Sequence, residues 1–117
     1  MLADGVREVT ERHEITAAAI ESWFVHPMSR SAMAMAEARG AILAALAGAG
    51  IPVTDYSPNA IKQAVTGSGR ADKDQVRTMV ARLTGASIES SHAADAMAAA
   101  LCHLVGAPMR EAIRRAR

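Results

Sequence analysis

Two short apolar runs, residues 17–21 and 51–56, flank a segment of helical periodicity that Gly48 and Gly50 bring to an end. Strand, long helix, strand is the order of a βαβ unit, in which the two strands run parallel and the crossover is right-handed. The first run, Ala17-Ala18-Ala19-Ile20-Glu21, has the small and β-branched residues of a strand buried on both faces. In the second, Pro52 stands near the start, where a missing N–H is tolerated. The chain is therefore expected to be α/β.

The remaining segments read as helices. Residues 2–13 have the pattern of an exposed amphipathic helix, with Leu2, Val6 and Val9 between charged residues. Pro27 disfavours helix at His26, so the long helix starts at Ser29 or Ser31, either of which can cap it, and runs to about residue 47. Met33, Ala36, Gly40, Leu43 and Ala47 share one face of it; Gly40 costs about 1 kcal/mol there relative to Ala, which predicts a close contact with a neighbour. Ser57-Pro58 opens a helix over residues 59–65, followed by a flexible Gly-rich loop, residues 66–70. A helix over 72–84 would bury Val76, Met79, Val80 and Leu83, and one over 92–104, capped by Ser91, would bury Ala94, Met97, Leu101 and Leu104.

At 117 residues, half of them hydrophobic but with one Trp, one Tyr and one Phe, the core must come from Ala, Leu, Ile, Val and seven Met. Such side chains pack closely but bury little area each, so stability is expected to be marginal or shared with a partner. Cys102 is the sole cysteine, which suits a reducing compartment. No run is long enough for a membrane span and residues 1–5 lack a signal-peptide pattern, so a soluble, cytoplasmic chain without a membrane partner is expected.

Net charge is +1, but its distribution is uneven. Residues 1–21 carry Asp4, Glu8, Glu11, Glu14 and Glu21 against Arg7 and Arg12. Residues 62–82 carry Lys62, Arg70, Lys73, Arg77 and Arg82 against Asp72 and Asp74, and the end adds Arg110, Arg114, Arg115 and Arg117 against Glu111. This fits a polyanion-binding half beside an acidic half. Glu21 closes the first strand at its C-terminal end, where ligands collect in open α/β sheets; a solvated carboxylate at a strand boundary is the competing reading. His92 and Asp95, three apart, would project on one side of a first helical turn. Asp95 is the only acid between Ser91 and Leu104, and either chemistry or the helix dipole explains it.

Taken together, Ile20-Glu21 with Phe24, Ser57-Pro58 leading to Lys62-Gln63-Ala64-Val65-Thr66-Gly67, then Gly69-Arg70-Ala71-Asp72-Lys73-Asp74-Gln75-Val76 and Ala93-Ala94-Asp95-Ala96 resemble the RuvC family of Holliday-junction resolvases. The resemblance implies a ribonuclease H-like fold, N-terminally truncated to the βαβ unit plus helices, over residues 1–106; the Arg-rich residues 107–117 read by themselves as a basic C-terminal tail. The family's Asp-Pro-Gly segment and the antiparallel strands that carry it have no counterpart here. It further implies a homodimer acting on four-way junction DNA, with a branch-migration helicase complex as a further partner. By the family's pattern Glu21, His92 and Asp95 are the catalytic and metal-ligating residues. Lys62 and Lys73 match basic residues near that site, and Phe24 matches an aromatic that can stack on an unpaired base. With Arg70 and Arg77 these form the DNA-binding set.

Two divalent ions can activate a water and stabilise the leaving oxygen in phosphodiester hydrolysis, and Mg²⁺ prefers clustered oxygen ligands. His92 would tilt such a site toward Mn²⁺, or act on the attacking water instead. Without the first-strand aspartate, little or no cleavage by the chain alone is expected, and its first strand would be an open edge inviting pairing with another chain. A catalytically silent junction-binding or dimerisation module is the alternative.

Overall fold

The computed structural model describes residues 2–22 and 30–116, with the backbone alone at Met109 and Arg110. In order the elements are α1 (Leu2–Arg12), β1 (Ala18–Glu21), α2 (Arg30–Gly48), β2 (Val53–Tyr56), α3 (Pro58–Thr66), α4 (Lys73–Thr84) and α5 (Ser91–Ala116). The two strands form one sheet. Ala18 N–H donates to the Pro52 carbonyl (2.9 Å) and Ser22 N–H to that of Tyr56 (2.8 Å). The contacts step forward together along both strands, so the pairing is parallel and the chain is α/β. No helix among the described residues is long and apolar enough to cross a membrane.

The chain divides into two compact units, and the division passes through both strands. The first comprises residues 1–18 and 23–54. Here α1 packs on α2, and burial is confined to Ala45 and Leu46 of α2 and Ile51 beyond it. The face of α2 expected from periodicity is not the buried one. Met33, Ala36, Gly40 and Ala47 are exposed, and a Cβ on Gly40 would meet nothing within 4 Å. In a helix this rich in Ala, several faces carry apolar residues, so spacing alone does not select the packed one. The expected double burial of β1 is not found either: all four of its residues are half-buried, as a two-stranded sheet allows.

The second unit, residues 19–22 and 55–117, holds the main core. Ser57 caps α3, its hydroxyl accepting from Ala60 N–H at 3.1 Å, with Pro58 in the first turn where no N–H is required. Gly67, at φ +84°, ends α3 in the left-handed region that glycine adopts without strain. Asp72 and Gln75 cap α4 reciprocally, each side chain accepting from the other's backbone N–H at 2.8 Å. The Gly-rich loop between the two helices is held more firmly than its composition suggests. The Gln63 amide donates to the Gly67 carbonyl (3.0 Å) and accepts from Gly69 N–H (3.1 Å).

Helices α3, α4 and α5 pack on one another around Ile61, Val65, Val76, Val80, Ala98, Ala99 and Cys102. On α5 the buried line is Ala94, Ala98 and Cys102, while Leu104 is 64% exposed, contrary to the expected stripe. On α4, Leu83 is likewise exposed at 55%. Small residues let the helices approach closely, and the larger ones are displaced to the margins. Helix α5 also starts with Ser90, not Ser91, as its cap: the Ser90 hydroxyl accepts from Ala93 N–H (3.3 Å). It continues past Leu104 and through Pro108 to Ala116. The N–H missing at Pro108 falls where Leu104 and Val105 are exposed and water can take the freed carbonyl.

Val80 is wholly buried, so Val80→Ala is expected to cost about 2 kcal/mol in urea unfolding, against less than about 0.5 kcal/mol for Leu83→Ala. Equal costs would contradict this placement of the core.

Candidate functional site

A cleft of about 320 Å³ opens among α3, α4, α5 and the end of β1, all within the second unit. Its apolar lining is Pro58, Ile61, Val76, Ala94 and Ala98, and its charged lining is Glu21, Asp74 and Asp95 with Lys62, Lys73 and Arg77. Three carboxylates thus face three cations over a base in which Ile61, Val76, Ala94 and Ala98 are buried. An apolar base lowers the local dielectric and lengthens the reach of each charge at the rim.

The local folding explains how these residues meet. Glu21 ends β1, and the next residue anchors that end: the Ser22 hydroxyl, like its N–H, donates to the Tyr56 carbonyl, at 3.2 Å. Lys62 follows Ile61 on α3, so burial of Ile61 sets the half-buried lysine at the cleft. Lys73 is the first residue of α4, directly after the capping residue Asp72. Asp95 is half-buried and stands beyond the first turn of α5, which contains no acid. The helix-dipole explanation of Asp95 therefore loses its basis, because that effect fades beyond the first turn. Lys73 Nζ lies 3.9 Å from Asp95 Oδ2, the one ion pair between the two helices among the described residues.

The residues singled out from sequence fall into three groups. Glu21, Asp95, Lys62, Lys73 and Arg77 line the cleft together. His92 is exposed on α5 and is not part of the lining, and Arg70 lines a separate depression of about 560 Å³ with Thr66, Ser68 and Gln75. Phe24, with Trp23, lies outside the described residues. Asp74, read from sequence only as part of a charged motif, and Ser91, read only as a helix cap, also line the cleft. Asp74 follows Lys73 in a charged helix start, where sequence gives no means of telling an inward acid from a solvated one.

Among the described residues no three His, Cys, Asp or Glu side chains are grouped to hold a metal ion. The donor chemistry nevertheless suits a hard divalent cation, since Glu21, Asp95 and Asp74 offer only carboxylate oxygen to the cleft. Mg²⁺ is commonly held by one or two carboxylates, with water and substrate phosphate completing its shell.

The chain matches the family model for crossover junction endodeoxyribonuclease RuvC over residues 1–103. It belongs to the RuvC family. The RuvC of Moorella thermoacetica is 44% identical over 109 residues, covering 92% of this chain and 65% of that protein. That of Halorhodospira halophila is 48% identical over 101 residues, covering 86% and 60%. The structure of Thermus thermophilus RuvC superposes with a TM-score of 0.83 at 38% identity over 92% of this chain and 66% of that one. The same RuvC in complex with a Holliday junction substrate gives a TM-score of 0.86. This chain thus spans slightly less than two thirds of the first of these RuvC relatives and 60% of the second.

The pairing of Lys73 with Asp95 contributes little to folding, because their side chains are 84% and 45% exposed. Lys73→Met is expected to change unfolding free energy by less than about 0.5 kcal/mol in urea titration. A loss above about 1.5 kcal/mol would mean that the pair is structural.

Proposed function

We propose that this chain carries the cleft of a RuvC-type resolvase, a ribonuclease H-like nuclease that hydrolyses phosphodiester bonds in four-way junction DNA with divalent-metal assistance, in the cytoplasm. The observation that carries the reading is the convergence of Glu21 from a strand end and Asp95 from α5 with Lys62 and Lys73 on one cleft. Carboxylates alone would repel a phosphate backbone, and lysines alone would bind it without chemistry. The two together, over an apolar base, are what a metal-assisted phosphodiesterase requires.

In this reading Glu21 and Asp95 would hold Mg²⁺ or Mn²⁺, which when bound supplies an acidified water and charge compensation at the phosphate. Lys62 and Lys73 neutralise phosphate charge at the cleft, and a Lys73 drawn toward DNA leaves the Asp95 carboxylate open to a cation. His92 is exposed on the first turn of α5, outside the cleft lining, and would act on water or on DNA instead of beside Glu21. The junction complex of Thermus thermophilus RuvC supports four-way DNA as the ligand. A homodimer fits a substrate whose two crossing strands are equivalent, and α2, with Met33 67% exposed, offers apolar surface for it. A branch-migration helicase complex is the further partner on this reading.

The catalytically silent alternative draws on the Lys73–Asp95 pair, in which an ammonium already sits beside one carboxylate. Fluorescence anisotropy with a synthetic four-way junction and a linear duplex of the same sequence tests the ligand. Binding at least about tenfold tighter to the junction is expected, with Lys62→Gln and Lys73→Gln each reducing the salt slope by about one. Equal affinity for the two DNAs, or slopes unmoved by both substitutions, would overturn the assignment. Metal-dependent nicking by the purified chain, abolished in Asp95→Asn, would exclude the silent alternative.

A further inference from the structure

Arg77 stands on α4, four residues beyond Lys73, where its charge invites assignment to DNA. Its guanidinium is engaged elsewhere. Nη2 donates to the Ile88 carbonyl at 2.7 Å and to the Glu89 carbonyl at 3.1 Å. Both carbonyls belong to the irregular segment between α4 and α5, where no helix or strand supplies a backbone partner. Arginine is suited to two carbonyls at once: it is always charged and carries several donors on one planar fork.

The contact matters because the chain enters α5 immediately after Glu89. Ser90 is the N-cap of α5: its hydroxyl accepts from Ala93 N–H and its carbonyl from Ala94 N–H, at 3.1 Å. Asp95 is the residue after Ala94, and Ser91 and Ala94 line the same cleft. The direction in which α5 leaves its cap therefore decides where the Asp95 carboxylate lies relative to Glu21. Residues 88 and 89 are the last backbone before that cap, and Arg77 fixes them from α4, the helix that also supplies Lys73. The half-buried Ile88 side chain packs against the core and provides a second, independent anchor for the segment.

We propose that Arg77 is a positioning residue for Asp95 rather than a phosphate contact: it ties the start of α5 to α4 and so holds Asp95 in the cleft that Glu21 also lines. This rests on the reading of the cleft as a metal-assisted junction site. Because Ile88 remains packed in the core, loss of the guanidinium loosens the helix start without unfolding the unit.

Arg77→Lys and Arg77→Met separate the two roles. Lysine keeps the charge but replaces the planar fork with one ammonium on a flexible stem, so it serves a phosphate well and two neighbouring carbonyls poorly. The measurements are amide hydrogen exchange at Ala93 and Ala94, Mn²⁺ affinity by electron paramagnetic resonance, and the salt slope for a synthetic four-way junction. Expected for both variants are exchange at Ala93 and Ala94 faster by about tenfold or more, Mn²⁺ affinity weakened by at least about threefold, and an unchanged salt slope in Arg77→Met. A slope reduced by about one in Arg77→Met, with full rescue of all three readouts in Arg77→Lys, would overturn the proposal in favour of a phosphate contact. Unchanged exchange in both variants would overturn it as well. If the unsubstituted protein binds neither Mn²⁺ nor junctions, the functional reading fails by itself; hydrogen exchange then still decides whether Arg77 holds the start of α5.

Discussion

Close approach of three helices over small side chains underlies everything else in the second unit. Ala94, Ala98, Ala99 and Cys102 give α5 a low profile against Ile61 and Val65 of α3 and Val76 and Val80 of α4. That packing leaves an apolar base at one end, and three of the charged residues of the cleft stand at it because each neighbours a buried one: Lys62 next to Ile61, Arg77 next to Val76, Asp95 next to Ala94. A larger residue at Ala94 or Ala98 would separate the helices and fill the cleft in the same step. Core and site are in this sense one constraint.

The charges at the cleft are balanced in number but not in engagement. Lys73 is paired with Asp95 at 3.9 Å while remaining largely solvated, a contact weak enough to exchange for a phosphate or a cation. The Arg77 guanidinium meets two backbone carbonyls at hydrogen-bond distance. Residues equivalent in a count of basic side chains therefore perform different tasks: Lys73 is an adaptable partner of the carboxylate, and Arg77 secures the chain that presents it.

Much of this is legible in the sequence where local chemistry decides the outcome. Ser57-Pro58 marks the start of α3, Gly85 the end of α4, and the spacing of two apolar runs about a long helix marks the parallel pair of strands. Glu21, Lys62, Lys73 and Asp95 stand out as site candidates from sequence and share one cleft. Legibility ends where Ala dominates. In α2 and α5 every face carries small apolar residues, so periodicity selects Met33 and Leu104, both exposed, over Ala45 and Ala98, which are buried. Three-residue spacing likewise puts His92 beside Asp95, yet only Asp95 reaches the cleft: Ser91, Ala94, Asp95 and Ala98 share one helical face, and His92 is rotated to one side of it. The carbonyls that Arg77 meets carry no side-chain signature, so no sequence pattern announces them.

Glu21 and Asp95 are proposed to share one cation site in the α3–α4–α5 cleft. Paramagnetic broadening of methyl NMR signals by substoichiometric Mn²⁺ tests it most directly, because the acidic face of α1, with Asp4 and Glu8, provides an internal competitor on the same molecule. The methyls of Ile61, Ala94 and Ala98 are expected to broaden first, and Asp95→Asn to remove the effect. Broadening that begins at Val6 and Val9 of α1, or that survives Asp95→Asn, would contradict it.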